Sequence, residues 1–323
     1  MLRIVHLPAT LYSTWHNLYN QQKFLRKQIY QVIQDAMANN DGSLDEDDCR
    51  KIKNYYGLAV PAVLAEAICS LHGKSLSQKE RWASTCQGAM TGIFDDFFDK
   101  DYLLGNEIPI NQLFENSDNK KAKIKLFDYF FQEAINNVPD KTVMLKCLQD
   151  VHDAQIESKA QCDEISINKL KEITRLKGGY SLLFYRSAID AKLSADESKV
   201  LFEAGALMQL CNDIFDVYKD REDNIRTLAT KCNINELQEY FYANLLHFKE
   251  MLWSLPSALP GKKKFYNLIS IAVFNRAMVC LEQFRSIQIR EGVFNIHKLT
   301  RKDLICDMDT MKNKLKSAVY FIK

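Results

Sequence analysis

Residues 194–223 read SADESKVLFEAGALMQLCNDIFDVYKDRED. Ser194 followed by Glu197 three residues on is the pattern of a capping box, in which a hydroxyl and a carboxylate satisfy the free amides at a helix start. The run from Ala204 to Leu210 is apolar. The stretch predicts one helix over about 195–222 that begins capped, passes through a core and ends in acid. At that end Asn212, Asp216 and Asp220 fall at i, i+4 and i+8, which stacks three oxygen donors along one face. Lys219, Arg221 and Arg226 put positive charge beside them. Like charges one helical turn apart repel each other, so the stripe calls for a counter-ion. Carboxylates with cations next to them form the set of groups that a magnesium–diphosphate complex requires.

A second acidic helix end lies earlier in the chain, at Asp95-Asp96-Phe97-Phe98-Asp99. On a helix Asp95 and Asp99 share a face one turn apart, and Asp96 sits roughly 100° round from them. Ala89, Met90, Ile93 and Phe94 precede the cluster, so it also leaves a core. Asp is a mediocre helix former, and a hard dication held by one or two carboxylates plus phosphate oxygens would offset the crowded charge. Read blandly, each motif is a solvated, salt-bridged helix end.

The rest of the chain is helical in pattern. Among 323 residues there are only 11 Gly and 6 Pro, so turns are few and elements long. Apolar spacing predicts helices over about 9–39, 55–73, from Ser77 through the first motif, 111–138, 141–160, 164–190, 234–254, 265–290 and 299–321. Pro61 is expected to kink its helix or mark its start. Residues 254–264 read as a loop. The acidic segment 39–48 resembles half of a calcium-binding loop but lacks its alternating ligands, and Ser43 with Glu46 fits a capping box better. With no repeat, linker or break in composition, the fold class expected is all-α: one domain over 1–323, a bundle of roughly ten helices with its site in the core.

Charge excludes one class of partner. With 43 basic and 41 acidic residues the net charge is +2, without the basic excess of a nucleic-acid binder. The nine cysteines show no pairing or zinc spacing, so they read as small apolar core residues in a reducing compartment. The N-terminus has no apolar signal region, and no run of about 18 apolar residues suggests a membrane span. A cytoplasmic protein is expected.

The two motifs resemble those of the class I isoprenoid synthases, most closely the terpene synthase branch. In that family a DDxxD-type motif on one helix and an N-D-x-x-S/T-x-x-x-E motif on a facing one border a central cavity. DDFFD at 95–99 matches the first unchanged. NDIFDVYKD at 212–220 matches the second, with Asp216 at the usual hydroxyl position and Asp220 at the Glu. The resemblance implies a magnesium-dependent enzyme, with three ions and a prenyl diphosphate as substrate. Asp95, Asp99 and, more weakly, Asp96 would bind two ions, and Asn212, Asp216 and Asp220 the third. It further implies a diphosphate-sensing Arg on a kinked helix. Arg175, just before Gly178-Gly179, is the candidate, with Lys177 second and Lys219 and Arg221 as further diphosphate contacts. Ionisation would lead to cyclisation or elimination, and a homodimer would fit the family. Two other branches share the metal chemistry. Chain-elongating prenyltransferases carry a Gly-Lys-x-Arg segment that Gly73-Lys74 begins, with Arg81 as a loose substitute for its Arg. Head-to-head synthases of the squalene and phytoene type carry two DxxxD motifs, and Asp95…Asp99 and Asp216…Asp220 have that spacing. A helical scaffold with two unrelated acidic faces is the alternative outside enzymology.

Overall fold

The structure, a computed structural model, describes residues 2–99, 121–162 and 164–322, side chains at 2–5, 98 and 99 excepted. It is 80% helical, and no strand occurs among the described residues. The expected helix-rich class is therefore correct. The start of the helix expected from 111 lies outside the described residues. The chain groups into two compact units, one of residues 12–156 and 184–192, the other of 1–11, 157–183 and 193–323. Both are discontinuous in sequence, and three of the four boundaries fall inside helices, the fourth in the short loop after Arg186. That is why no composition break marks it.

In the unit of residues 12–156 and 184–192, α1 (Leu2–Gln28, from Tyr12 on) and α2 (Tyr30–Ala38) precede a continuous helical run, α3 (Glu46–Leu71). Then come α4 (Gln78–Asp99), α5 (Ala122–Asn137) and α6 (Lys141–Ser158). α3 starts nine residues before the predicted boundary at 55, and its cap is Asp45 rather than Ser43. The Asp45 carboxylate accepts from the Asp48 amide at 2.8 Å, and the Asp48 carboxylate accepts from the Asp45 amide at 2.9 Å. Ser43 is spent elsewhere, accepting from the Lys123 amide at 3.1 Å. Pro61 does not begin the helix. It lies inside a π-helical stretch, Val60–Ala65, where the wider turn accommodates a residue without an amide hydrogen. Because of its early start α3 reaches 26 residues and is long and apolar enough to cross a bilayer, yet 67% of its most apolar window is buried in the protein, as in a core helix. Ser77 does open α4, as expected, with its amide donating to Glu80 at 2.9 Å. α4 packs on both α5 and α3. Gly88 makes the second contact possible, since a Cβ there would stand 2.5 Å from the Tyr56 carbonyl oxygen. Ile93, Phe97, Phe127 and Phe130 fill the core between α4 and α5.

The other unit is built on α7 (Ile167–Arg186, as far as Leu183) and α8 (Ala195–Phe215). Short helices α9 (Val217–Glu222) and α10 (Leu228–Lys231) follow, then α11 (Ile234–Ser254). α12 (Leu259–Ile269) starts inside the expected loop, with Pro260 at its first turn, where a missing amide costs nothing. A π-helical stretch (Ser270–Phe274) joins it to α13 (Asn275–Glu291). α14 (Arg301–Leu304) and α15 (Met311–Ile322) complete the unit. α8 packs against α11 and α13, and Phe248 of α11 meets Phe265 and Phe274 at ring separations of 6.4 and 5.7 Å. Burial of such rings is the main favourable term in the fold.

Candidate functional site

Ser194 caps α8 as expected, accepting from the Glu197 amide at 3.1 Å. The predicted single helix over 195–222 is divided, however. α8 ends at Phe215, and Asp216, at φ −96 and ψ 11, is the joint before α9. Four-residue hydrogen bonding persists across the joint, from the Asp216 amide to Asn212 at 2.9 Å and from the Asp220 amide to Asp216 at 2.8 Å. The residues here favour a helix break. Aspartates are weak helix formers, and carboxylates a turn apart repel each other.

The three expected donors differ in setting. Asn212 is exposed, and its amide donates to the Asp216 carboxylate at 3.2 Å. Asp216 is half-buried and Asp220 is buried. Burial pushes both carboxyls up. Asp220 reaches about 8, with repulsion from Asp213 and Asp216 adding to the effect while Lys219 and Lys177 oppose it. Asp213 is the residue the spacing argument passed over, because it lies about 100° off the stripe. It is buried and accepts from Thr174 at 3.0 Å and from Gln209 at 3.0 Å. Burial raises it to about 6. Its neighbours Cys211 and Ile214, both apolar, were the sequence signal that it points inward.

Thr174 and Lys177 share a face of α7, so the Thr174–Asp213 bond brings Lys177 to the acidic cluster. Lys177 accordingly lowers both Asp213 and Asp220. Arg175 points elsewhere. It pairs with Glu203, stacks over the Phe202 ring at 5.4 Å and lines a cavity of about 390 Å³ with Leu183, Lys199 and Met251. None of the acidic motif residues lines that cavity. Of the two sensor candidates, the second choice is therefore the one beside the carboxylates. α7 runs without a break through Gly178-Gly179. A Cβ on Gly178 would stand 2.1 Å from the Gly205 carbonyl oxygen, so this glycine serves close approach of α7 to α8. Arg221 is committed to carbonyls, donating to Ile296 and Leu299 at 2.7 Å each. Lys219 is exposed beside Asp216 and Asp220.

In the other unit the first motif ends α4. Asp95 is half-buried and accepts from Tyr56 at 3.2 Å and from Gln155 at 2.8 Å. Asp96 is buried in an ion-pair network, with Lys51 at 2.7 Å and Lys123 at 2.9 Å, and Lys123 also reaches Asp48 at 2.9 Å. Despite burial, the two lysines and a hydrogen bond with Asp48 hold the Asp96 carboxyl well below the usual range, while burial pushes Asp48 up. Asp96 thus already has its counter-charge. The Asp99 side chain lies outside the described residues. Arg81, the loose match to a prenyltransferase arginine, pairs with Glu66 at 2.8 Å.

The donor set of the second motif fits a hard dication. Asn212, Asp216 and Asp220 offer oxygens, and burial pushes the two carboxyls up, a cost that a bound cation would offset by favouring their ionised forms. Among the described residues no three His, Cys, Asp or Glu side chains converge into a ready-made cage. An ion here would complete its shell with the Asn212 amide oxygen, phosphate oxygens or water, as magnesium commonly does. No protein-family model matches the chain, and no curated protein matches it.

Proposed function

We propose that the chain is a class I terpene synthase, which ionises a linear prenyl diphosphate in a magnesium-dependent reaction and cyclises the product or eliminates a proton from it. The observation that carries this reading is the crowding of Asp213, Asp216 and Asp220 beside Lys177 and Lys219 at the end of α8. Such a cluster is under-neutralised alone and is completed by a dication with a diphosphate. Asn212, Asp216 and Asp220 would hold one ion, and the resemblance assigns further ions to Asp95 and Asp99. Bound magnesium would supply Lewis-acid neutralisation of the departing diphosphate. Lys177 and Lys219 add fixed positive charge for the same leaving group, and preorganised charge of this kind is usually the largest catalytic term. Thr174 and Asp213 keep α7 and Lys177 in place.

Thermal unfolding tests the binding half of this reading. Magnesium and inorganic pyrophosphate together should raise Tm, since both bind only the folded chain. The shift should vanish in Asp216→Ala and Asp220→Ala. No shift in the wild-type protein would reject the reading and leave a helical scaffold.

A further inference from the structure

α15 reads MKNKLKSAVYFI over Met311–Ile322, with lysines at 312, 314 and 316 and no acidic residue. At about 100° per residue, Met311, Ile322, Leu315 and Val319 fall within about 80° of one another round the helix. Met311 is 71% exposed, Leu315 61% and Val319 49%. Single exposed apolar residues are ordinary, whereas three at i, i+4 and i+8 make a continuous apolar stripe. Lys314 borders the stripe on one side, and Lys312 and Lys316 border it on the other.

The opposite side of the helix is fastened to α13. Asn275 donates to the Ser317 carbonyl at 3.4 Å, and Glu282 accepts from Lys316 at 2.6 Å and from Tyr320 at 3.0 Å. Ser317 and Phe321 are the residues that α15 buries. These bonds fix the rotation of the helix, so the stripe stays on the outside. The lysines differ in how far they are committed. Lys316 is held by Glu282. Lys314 lies 3.6 Å from Asp309, but both ends of that pair are widely exposed, and such pairs are weak. Lys312 is within electrostatic range of Glu282 and forms no ion pair among the described residues.

We propose that this face of α15 is a docking surface for an anionic lipid membrane, with the helix lying parallel to the bilayer plane. An apolar stripe between rows of lysines is the pattern of a helix that rests in the interface of a bilayer. Met311, Leu315 and Val319 enter the boundary between headgroups and acyl chains. The lysine stems lie along the apolar surface while their ammonium groups reach lipid phosphates. Charge argues against a second copy as the occupant. Two such stripes face to face would bring lysine rims together, and the helix has no carboxylate to meet them. The attachment to α13 argues against an enclosing protein groove, because only one side of the helix is open to a partner. A flat anionic surface satisfies both conditions. The attachment is peripheral and does not depend on the proposed function.

The test is flotation of the full chain with vesicles of phosphatidylcholine alone and of an equal mixture of phosphatidylcholine and phosphatidylglycerol. The expected result is flotation with the mixture only. The bound fraction should fall as salt rises from about 0.1 M to about 1 M, because the screening length shrinks from about 10 Å to about 3 Å. Lys312→Ala should weaken binding by about fivefold, the worth of one lysine at an anionic surface. Leu315→Glu should abolish it. Both positions are exposed, so Tm should match the wild type in each variant. Wild-type protein that stays unbound with the mixture, or that floats equally on phosphatidylcholine alone, would overturn the proposal. So would flotation of Leu315→Glu at the wild-type level, or a wild-type dimer that Leu315→Glu dissociates, which would make a second copy the occupant.

Discussion

Thr174 donates to Asp213 at 3.0 Å, a buried bond between the helix bearing Lys177 and the helix that carries Asn212. Both groups are buried, at 3% and 5% exposure, so water cannot replace either partner. Thr174→Val should destabilise the protein by ~1–3 kcal/mol, the cost of a buried acceptor losing a donor. Thr174→Ser, which keeps the hydroxyl, should cost less. Urea unfolding of the two variants checks this. Equal midpoints for wild type and Thr174→Val would show that the bond does not hold the helices.

The acidic cluster sets a pH dependence whose sign is fixed. A carboxyl with a raised folded-state pKa keeps a proton that the unfolded chain has released, so stability falls as pH rises between the two values. For Asp220 the window runs from 3.8 to about 8, and for Asp213 it closes near 6. Without added cation, Tm should therefore decline toward pH 8, and Asp220→Asn should flatten the upper part of the decline. Magnesium with pyrophosphate should reduce the slope in the wild type and release protons on binding, which calorimetry in buffers of different ionisation enthalpy measures. A flat Tm over this range would contradict the cluster as described.

The two adjacent aspartates of the first motif should separate cleanly. Asp96→Ala removes a buried carboxylate shared by Lys123 and Lys51, leaving Lys123 with Asp48 and Lys51 with the more distant Asp47, and should cost ~3–5 kcal/mol. Asp95→Ala removes an acceptor from Tyr56 and Gln155 and should cost only ~0.5–1.5 kcal/mol. Denaturant unfolding of both variants gives the comparison. Equal losses would mean that the lysine network does not depend on Asp96.

Gly178→Ala adds a methyl where the Gly205 carbonyl oxygen lies 2.1 Å from the ideal Cβ. The obstacle is backbone, not a movable side-chain tip. Overpacking of this kind should cost ~1–3 kcal/mol or more. A variant as stable as the wild type would mean that α7 and α8 separate easily, and would weaken the placement of Lys177.

What could be read in the sequence follows from the range of each signal. Helix existence was legible because apolar spacing is local, as at Ala195–Phe215 and Ile234–Ser254. The true start of α3 was not, since Asp45 and Asp48 cap it while Ser43 is drawn to α5 by a long-range bond. The acidic stripe of Asn212, Asp216 and Asp220 was legible, but its bend was not, because that depends on how deeply each carboxylate is buried. The partners of Asp96, Lys51 and Lys123, lie 45 and 27 residues away and carry no mark in the sequence that sets them apart from surface lysines. The choice of Lys177 over Arg175 likewise rests on the Thr174–Asp213 contact, which only the fold supplies.

Incubation of the purified chain with magnesium and ten-, fifteen- or twenty-carbon prenyl diphosphates, each with and without isopentenyl diphosphate, tests the proposed chemistry most directly. Mass spectrometry of the extracts and an assay of released pyrophosphate provide the readouts. The expected result is a hydrocarbon or alcohol from one allylic diphosphate alone, lost with chelator and in Asp95→Ala and Asp216→Ala. Longer diphosphates formed only with isopentenyl diphosphate would move the chain to the prenyltransferases, and a doubled chain to the head-to-head synthases. No product and no pyrophosphate from any substrate, with no binding of magnesium pyrophosphate, would contradict the assignment.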